Sequence, residues 1–447
     1  GLTSVLMTKQ PARGLLAKKM REETAKKVRE DHYPAPFRLI DLFEKYGGNL
    51  DAMKLAETTA FAPLMVSDTS RNLRRVFRLT ELLKNQAPRK LAWKPQRVHV
   101  IGAGTMGADI AGVCVAAGME VTLQDISPEQ LEKGMKAQGR LFGKKFKTKA
   151  QKDAAKARFI ADPEGKGVGR ADVIIEAIVE KLDIKQKLFA DLETKVKPGA
   201  ILATNTSSLK LSDIAAPLKD PGRLIGLHFF SPVAQMPLVE VVQGDGTREE
   251  EAKKGAAFVT AIGKFPLITK DVPGFLVNKV LTPYMFAAFE RLEKGEDKEK
   301  IDEAVRTFGM PMGPIELADS VGLDICLHVA KILGGGGTEG SRLERLVSSG
   351  RLGKKTGEGF YVWKDGKPVR GEAKWSKAEL EKLGRELVEP IVTEAQKALD
   401  EGVVASADLV DAGMIFGTGF APFRGGPLHY KASRDKSTPP KQSAAAE

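Results

Sequence analysis

The stretch RVHVIGAGTMGADIAGVCVAAGMEVTLQD, residues 97 to 125, predicts a strand, a glycine turn, a helix and a second strand. Apolar residues precede Gly102, and the letters GAGTMG lead into a helix rich in Ala, Ile and Val. A G-x-G-x-x-G match indicates dinucleotide binding only in this strand-to-helix context, whereas a bare match favours an ordinary glycine turn. The stretch therefore predicts the first unit of a doubly wound nucleotide-binding domain.

Each residue of the glycine turn has an expected role. Gly102 permits the tight turn, Gly104 lets the backbone approach a diphosphate, and Gly107 allows the helix to pack closely on the strand. Thr105 and Met106 lie at the helix N-terminus, whose unpaired N–H groups attract phosphates. We therefore predict that these five residues bind the cofactor.

The choice of cofactor is predicted by Asp125, which ends the second strand. It follows the first glycine by about 20 residues, where an acid accepts hydrogen bonds from the ribose hydroxyls and repels a 2′-phosphate. No Arg or Lys comes directly after it. The sequence therefore favours NAD over NADP.

The composition is that of an ordinary globular protein with room for about three domains. Hydrophobic residues make up 42% of the 447 residues and charged residues 29%, which excludes wholesale disorder. No apolar run is long enough to cross a bilayer. The two cysteines, Cys114 and Cys326, fit neither a disulfide framework nor a metal cluster, so we expect a reducing, cytoplasmic location and no metal.

The net charge of +12 raises the question of a polyanionic partner. The lysines are spread over many predicted helix faces without a base-stacking aromatic motif, so we expect no nucleic acid. Solvated basic faces are the simpler interpretation, and contact with a CoA thioester is the alternative. The best candidates for such a contact are the lysines at positions 144, 145, 147, 149 and 152.

The rest of the chain predicts an α/β domain between helical segments. Residues 1 to 94 look helical and end in a linker, and residues 95 to 272 alternate strand and helix. Residues 273 to 368 and 369 to 431 look like two similar helical units, the second one shortened. Residues 432 to 447 are polar and are expected to be disordered.

Three finer expectations concern single elements. One basic helix is expected from residue 128 to residue 157. No strand is expected beyond Pro273, because the alternating pattern stops there. The weak internal repeat pairs Asp302 of the first helical unit with Asp408 of the second.

Oxidising an alcohol with NAD requires a base for the hydroxyl proton, and histidine suits that task near neutral pH. Among the five histidines, His228 ends a predicted strand, at the carboxyl edge where α/β sheets bind ligands. Glu240 lies in an otherwise apolar strand, where a buried acid needs a partner. We expect the two to pair, with Glu240 fixing the imidazole tautomer, and the alternative is a satisfied core histidine.

Two more polar groups follow apolar segments. Ser207 belongs to the run NTSS after a strand, where it either caps the next helix or binds the substrate hydroxyl or the nicotinamide. Asn278 lies at the start of an apolar helix, where a side-chain amide is expected to have a hydrogen-bond partner. Donation of a hydrogen bond to a thioester carbonyl is one such reason.

These motifs resemble those of the (3S)-3-hydroxyacyl-CoA dehydrogenases of fatty-acid β-oxidation. The resemblance extends from Arg97 to about Tyr430 and rests on VIGAGTMG, EAIVE (176 to 180), NTSSL (205 to 209), GLHFFSP (226 to 232), DVPGFLVN (271 to 278) and KTGEGFY (355 to 361). It implies NAD-dependent oxidation of a (3S)-3-hydroxyacyl-CoA to a 3-oxoacyl-CoA. It also implies a Rossmann-like domain followed by an all-α, internally duplicated domain.

The resemblance implies a set of site residues as well. Its catalytic and positioning residues are His228, Glu240, Ser207 and Asn278, and the residues it places near the NAD include Glu180 and Lys185. One departure is Lys279, where the family usually has Arg. That change puts the charge network beside the start of the helical domain in question.

The first 90 residues resemble the closing helices of the enoyl-CoA hydratase, or crotonase, domain of multifunctional α subunits, on KKMREETAKKVREDHYPAP and LMVSDTSRNLRRVF. This resemblance implies a bifunctional hydratase/dehydrogenase whose hydratase core precedes Gly1, with a thiolase subunit as a partner in a fatty-acid oxidation complex. One alternative is another β-hydroxyacid dehydrogenase, which would use a lysine base and a free acid. The other is a catalytically silent assembly fragment.

Overall fold

The computed structural model describes residues 9, 11 to 88, 91, 93 to 332, 339 to 371 and 374 to 437. They separate into two compact units. The larger unit is Leu79–Phe420, and the smaller one combines Gly1–Arg78 with Ala421–Glu447. No helix among the described residues has the length and apolar character needed to cross a membrane.

One eight-stranded sheet forms the nucleotide-binding part of the larger unit. Its strands are β1 Arg97–Ile101, β2 Glu120–Gln124, β3 Phe159–Ala161, β4 Val173–Glu176, β5 Ile201–Thr204, β6 Leu224–Phe229, β7 Leu238–Gln243 and β8 Phe265–Lys270. The order is β3-β2-β1-β4-β5-β6-β7-β8. The first six strands run parallel, β7 runs antiparallel to β6, and β8 runs parallel to β7.

Helices cover the sheet and form most of the remaining described structure. In chain order they are α1 Ala12–Ala25, α2 Pro34–Tyr46, α3 Leu50–Met65, α4 Asp68–Lys84, α5 Thr105–Ala116, α6 Pro128–Lys145, α7 Lys149–Ala157, α8 Leu182–Lys195, α9 Leu211–Ala215, α10 Glu249–Ala261, α11 Val277–Glu293, α12 Lys298–Phe308, α13 Pro314–Val321, α14 Leu323–Ile332, α15 Arg342–Ser348, α16 Lys377–Asp400, α17 Ala407–Thr418 and α18 Pro427–Ser437. The predicted α/β domain followed by a helical domain is confirmed.

The strands are apolar on both faces because helices cover both. Along β4, Val173 and Ile175 pack in one hydrophobic cluster, and Ile174 packs in a second cluster on the opposite face. Side chains alternate between the two faces of a strand, so a run without polar interruptions fits a sheet buried on both sides. This arrangement leaves the ends of the strands as the accessible part of the sheet.

Two buried aspartates hold the helical domain together. The Asp302 carboxylate accepts hydrogen bonds from the backbone N–H groups of Ile315 and Glu316 and from the Tyr361 hydroxyl. The Asp319 carboxylate accepts the N–H groups of Phe360 and Tyr361. Burial raises the pKa of Asp302 to about 6. The motif KTGEGFY therefore has a structural role here, since its last residues are the donors to these carboxylates.

Several single-element expectations are wrong. The helix expected from residue 128 to residue 157 is broken between α6 and α7, because Thr148 and Gln151 form a capping box that starts a new helix. Beyond Pro273 a short hairpin occurs, formed by β9 Trp363–Lys364 and β10 Lys367–Pro368. In the second helical unit the fully buried aspartate is Asp411, whereas Asp408 is exposed.

The smaller unit joins the two ends of the chain. The His32 ring stacks on Phe423 with ring centroids 4.4 Å apart, and the Asn72 side-chain amide donates to the Phe423 carbonyl at 2.7 Å. The expected disordered tail does not begin at residue 432, since α18 continues to Ser437. Residues 438 to 447 lie outside the described part of the chain.

Gly107→Ala tests the helix-to-strand packing. A Cβ at Gly107 would lie 1.8 Å from the Gly102 carbonyl oxygen, a backbone atom that cannot rotate away. We expect this variant to lose about 2 kcal/mol or more of unfolding free energy. Gly139→Ala is the matched control, because its added methyl meets nothing within 4 Å in the middle of α6. It should gain about 1 kcal/mol. Thermal unfolding followed by circular dichroism compares the two, and equal melting temperatures would contradict this account.

Candidate active site

The carboxyl ends of β1, β4, β5 and β6 meet at one edge of the sheet. Gly102 follows β1, Glu176 ends β4, Asn205 follows β5 and His228 is the next-to-last residue of β6. Open α/β sheets bind ligands outside this edge. Nearly all the predicted site residues lie at this edge or in the loops that leave it.

The glycine turn has the geometry that its sequence predicts. Gly102 has a φ of 104°, and a Cβ there would lie 2.5 Å from the Ala177 carbonyl oxygen. A Cβ at Gly104 would meet nothing within 4 Å, so this glycine faces open space. Helix α5 begins at Thr105 without a side-chain cap, which leaves the N–H groups of its first turn unpaired by side chains. Thr105 is exposed and Met106 half-buried, so the first turn of α5 is accessible at the edge of the sheet.

Asp125 lies beside the turn, as expected, and also stabilises it. Its Oδ2 accepts the Ala103 N–H at 2.7 Å, and its Oδ1 accepts the Ser127 N–H at 2.9 Å. The carboxylate is therefore held at the end of β2 by the backbone of the two loops that flank it. A negative charge in this position disfavours a phosphate on the adenosine ribose.

Glu180 and Lys185 form a buried charge network. The Lys185 ammonium lies 2.6 Å from Glu176 and 3.1 Å from Glu180, and its side chain is only 1% exposed. Burial acts to raise the pKa of Glu180, but the charge of Lys185 and hydrogen bonds from Thr206 and Ser207 lower it below the ordinary value. These contacts join the ends of β4 and β5. That Glu180 and Lys185 lie near the NAD stays a prediction.

The loop after β5 carries Ser207 to the same edge. The Asn205 side-chain oxygen accepts the Phe229 N–H at 3.0 Å, which ties this loop to the end of β6. The Ser207 N–H donates to Glu180 at 3.1 Å. Its half-buried side chain is thereby held between the network around Lys185 and the strand that carries His228.

His228 and Glu240 are directly opposite each other in the β6–β7 pair. The His228 Nδ1 lies 2.7 Å from Glu240 Oε2, and Glu240 is completely buried. Within the described ranges, the structure gives a protein hydrogen-bond partner to Nδ1 but to no other atom of the ring. A carboxylate at Nδ1 fixes the tautomer with Nε2 as the acceptor, which is the arrangement of a general base.

The same carboxylate fixes the start of the helical domain. Glu240 Oε1 accepts the N–H groups of Leu276 and Val277 at 3.0 and 2.9 Å. Phe275, just before them, has a φ of 51° and its ring centroid lies 5.4 Å from that of His228. A positive φ at a bulky residue is unusual and marks a backbone that its surroundings constrain. Asn278 comes directly after Val277, so the position of its backbone depends on Glu240.

Lys279 resolves the departure noted beside Asn278. Its ammonium lies 3.0 Å from Glu394 and 3.1 Å from Glu401 of the helix α16 region, and these partners raise its pKa even though burial acts to lower it. The lysine therefore has a complete charge network of its own. It joins α11 to the second helical unit, which packs against α11 and α12.

Lys264 is a residue that the sequence reasoning missed. It is 6% exposed, and its ammonium donates to the carbonyl oxygens of Val233 and Met236 at 2.5 and 2.6 Å. Burial lowers its pKa. Lys264 thus binds the backbone of the loop between β6 and β7, which follows His228 in the sequence. Its acceptors are backbone carbonyl groups, so the sequence contained no side-chain pattern that could have revealed the contact.

The other strand histidine is a core residue. His99 is fully buried, and its two ring nitrogens lie 2.7 and 2.9 Å from the Thr122 hydroxyl and the Gln124 side-chain oxygen. Burial lowers its pKa. The described residues contain no group of three or more His, Cys, Asp or Glu side chains arranged to hold a metal ion.

The glycine turn, the acid at the end of β2 and the histidine–glutamate pair define a NAD-dependent dehydrogenase with a doubly wound domain. Residues 97–272 match the 3-hydroxyacyl-CoA dehydrogenase NAD-binding domain, and residues 274–363 match the C-terminal domain of the same family. The chain belongs to the 3-hydroxyacyl-CoA dehydrogenase family. The family predicted from the motifs is therefore confirmed, and so is NAD as the cofactor.

Individual relatives agree with this assignment. The fatty acid oxidation complex subunit alpha of Vibrio vulnificus is 36% identical over 93% of this chain, which spans 62% of that relative. The solved 3-hydroxybutyryl-CoA dehydrogenase of Escherichia coli is 29% identical with a TM-score of 0.67, covering 76% of this chain and 92% of its own. The (S)-3-hydroxybutyryl-CoA dehydrogenase of Ralstonia eutropha is 35% identical with a TM-score of 0.56, covering 61% of this chain and all of its own.

Lys264→Met tests the support of the loop after His228. The buried Val233 carbonyl and the half-buried Met236 carbonyl would lose their donor, so we expect a loss of about 2 kcal/mol of unfolding free energy and a several-fold fall in kcat/KM. Lys253→Met is the control, because Lys253 is exposed and its ion pair among the described residues is with Glu249 on the same helix. It should change stability by less than about 0.5 kcal/mol. Similar losses in both variants would contradict a specific role for Lys264.

Asp125→Asn tests cofactor choice. The amide keeps an acceptor for the Ala103 N–H but removes the charge that repels a 2′-phosphate. We expect the ratio of kcat/KM with NADH to kcat/KM with NADPH to fall by about tenfold or more. Glu132→Gln, an exposed charge on α6 paired with Lys136, should leave the ratio unchanged. A ratio that stays constant in the Asp125 variant would contradict this reading.

Proposed function

We propose that the chain catalyses the NAD-dependent oxidation of a (3S)-3-hydroxyacyl-CoA to the 3-oxoacyl-CoA. The observation that carries the proposal is the 2.7 Å contact between His228 and Glu240 at the carboxyl edge of the sheet. A paired imidazole there lies next to the edge where the dinucleotide turn opens. Membership of the family supports the substrate class.

The proton step falls to His228. Its Nε2 takes the proton of the C3 hydroxyl while Nδ1 keeps its own proton in the bond to Glu240. The imidazole becomes positively charged, and the buried carboxylate 2.7 Å away stabilises that charge. In the reverse direction the same Nε2 returns the proton to the carbonyl oxygen.

The residues of the glycine turn fit NAD, which supplies the acceptor for the hydride of C3 when it is bound. Gly102, Gly104 and Gly107 shape the backbone, and the N–H groups of Thr105 and Met106 face the diphosphate. The open space at Gly104 supports this assignment, because a side chain there would occupy the approach to the turn. Asp125 binds the ribose hydroxyls.

Ser207 and Asn278 position the substrate. Ser207 is held beside the end of β6 by the Asn205 contact, which suits its hydroxyl to bind the C3 oxygen. Asn278 follows the two N–H groups that Glu240 binds, which suits its amide to donate to the thioester carbonyl. Ser207 depends on a contact with β6, which carries His228, and Asn278 depends on a contact with Glu240 of β7. The substrate and the base are therefore positioned together.

The length and the names of the curated relatives favour a second activity in a longer protein. The curated relatives are named fatty acid oxidation complex subunit alpha, and the chain spans about three fifths of their length. We infer a bifunctional hydratase/dehydrogenase in which residues 1 to 94 close the hydratase domain, followed by the units from 95 to 272, 273 to 368 and 369 to 431. A thiolase subunit is the proposed partner.

We also propose a reducing, cytoplasmic location. Cys114 and Cys326 are both free thiols, and burial raises the pKa of each to about 12. Thiols with so little thiolate at neutral pH are chemically inert, and neither is part of the candidate site. Such cysteines suit a compartment that keeps thiols reduced.

His228→Ala tests the proposed base. With acetoacetyl-CoA and NADH, we expect the rate of absorbance loss at 340 nm to fall by about a hundredfold or more, because general acid–base catalysis contributes that much. NADH binding, measured by fluorescence, should remain nearly unchanged. Turnover equal to that of the unaltered chain would contradict the proposal.

Glu240→Ala separates the two roles of the carboxylate. It should reduce turnover and also cost about 2 kcal/mol or more of unfolding free energy, because the Leu276 and Val277 N–H groups lose their buried acceptor. His228→Ala leaves both of these bonds intact and serves as the comparison. Equal melting temperatures for the two variants would show that Glu240 does not anchor α11.

A further inference from the structure

Two phenylalanine rings lie against the imidazole of His228. The centroid of the Phe230 ring is 4.6 Å from that of His228, with the ring planes at 61°, and the Phe275 centroid is 5.4 Å away, with the planes at 59°. Rings at these distances and angles are in direct contact. His228 is only 6% exposed, and Glu240 is completely buried. The imidazole and its carboxylate partner are thus almost completely removed from water.

The two ring nitrogens of His228 have different surroundings. Nδ1 lies 2.7 Å from the buried carboxylate of Glu240. Nε2 has no protein hydrogen-bond partner among the described residues. In that part of the chain, the fully buried polar side-chain atoms without a partner belong to Arg158, Glu251 and Tyr284, so Nε2 of His228 is not one of them. Nε2 is therefore accessible, whereas Nδ1 is covered.

The backbone of Phe275 indicates that the site needs its side chain. Its φ of 51° lies in the left-handed region, which glycine adopts freely and a bulky residue rarely adopts. The turn directs the N–H groups of Leu276 and Val277 at Glu240, as successive N–H groups do in turns that bind anions. Glycine would form this turn with less strain. The ring of Phe275, which is 1% exposed and contacts His228, is therefore the part of this residue that glycine could not replace.

Water at Nδ1 would weaken the base in two ways. Water competes for the donor and the acceptor of an exposed hydrogen bond, whereas surroundings of low dielectric constant strengthen the bond. Water would also let the Nδ1 proton leave, which would populate the tautomer that carries its proton on Nε2. That tautomer cannot accept a proton from a substrate hydroxyl at Nε2. A dry environment around Nδ1 therefore preserves the form of the imidazole that can act as a base.

We propose that Phe230 and Phe275 are positioning residues that exclude water from the Nδ1 side of His228 and keep its proton in the bond to Glu240. This aromatic seal, formed by the two phenylalanine rings, rests on the proposed function, in which Nε2 of His228 is the base. Phe275 contributes a buried wall that belongs to an apolar cluster with Leu202 and Leu211. Phe230 contributes a half-buried wall just after β6. Both rings act through the imidazole and transfer no proton themselves.

Exchange of the Nδ1 proton with water tests the aromatic seal on the whole chain. In the unaltered protein, we expect a slowly exchanging proton resonance downfield of the backbone amides that is absent from His228→Ala. Phe230→Ala should accelerate its exchange by about tenfold, because an aromatic contact of this kind stabilises a pair by up to about one factor of ten. Phe275→Ala should accelerate it at least as much. Phe230→Leu keeps an apolar cover and should stay within about threefold of the unaltered chain.

Phe416→Ala is the matched control. Phe416 of α17 is also half-buried, and its ring centroid lies 5.0 Å from that of Phe265. The same substitution there should leave the exchange of the His228 proton unchanged. Equal acceleration in this control would indicate a general loosening of the fold and would overturn the proposal. Equal exchange rates in Phe230→Ala and the unaltered chain would also overturn it, and this half-buried position decides the question even if Phe275→Ala does not fold.

Turnover separates this proposal from the assignment of the base. With acetoacetyl-CoA and NADH, Phe230→Ala should lower kcat several-fold and leave the KM for NADH unchanged, because the ring acts on the imidazole and not on the cofactor. Phe230→Leu should recover most of the lost kcat. An inactive chain whose His228 proton is protected by the two rings would support the aromatic seal and contradict the proposed function. An active chain whose His228 proton exchanges freely would overturn the seal and leave the proposed function intact. Faster exchange in Phe230→Ala without a fall in kcat would overturn the positioning role.

Discussion

The active edge of this protein depends on one buried carboxylate. Glu240 binds the His228 ring with one oxygen and two N–H groups at the start of α11 with the other. An isolated buried carboxylate is costly, and three short hydrogen bonds offset that cost. The carboxylate therefore joins β6, β7 and the helical domain at one point. The geometry of the proposed catalytic pair and the packing of the helical domain are consequently not independent in this chain.

Reversal of the last two strands makes that contact possible. In a wholly parallel sheet, the end of one strand meets the end of the next, and a residue in the middle of β7 would lie away from the edge. Because β7 runs antiparallel to β6, Glu240 lies directly opposite His228 while its own strand continues away from the edge. Directly opposite residues in an antiparallel pair are close enough for their side chains to interact. The strand reversal is thus part of the site.

Several of the sequence motifs hold loops in place through buried carboxylates. Glu176 accepts hydrogen bonds from the Ile178 N–H in the loop after β4 and from the Lys185 ammonium, and Asp302 and Asp319 accept backbone N–H groups from the loops of the helical domain. In each case a carboxylate satisfies donors that a turn would otherwise leave unpaired. The motifs EAIVE and KTGEGFY therefore include residues that hold loops in place. Such residues have sequence signals as distinct as those of a catalytic group.

The sequence allowed the glycine turn and the histidine–glutamate pair to be predicted for local physical reasons. A glycine pattern between a strand and a helix has one common use, and an acid inside an apolar strand needs a partner. Strand direction carries no such local signal, because β7 has the same apolar pattern in either orientation. The support from Lys264 was hidden for a similar reason, since its acceptors are backbone carbonyl groups that no side-chain pattern reveals.

The same reasoning limits which lysine can act as a base. A β-hydroxyacid dehydrogenase of the lysine type needs an ammonium that can give up its proton next to the substrate. Lys185 is buried between two carboxylates, and Lys279 lies between two more. Lys264 is directed at two carbonyl groups behind the loop. These three lysines are therefore engaged in ion pairs or hydrogen bonds of the fold. By contrast, Nε2 of His228 has no protein hydrogen-bond partner among the described residues, so the imidazole suits the proposed proton transfer.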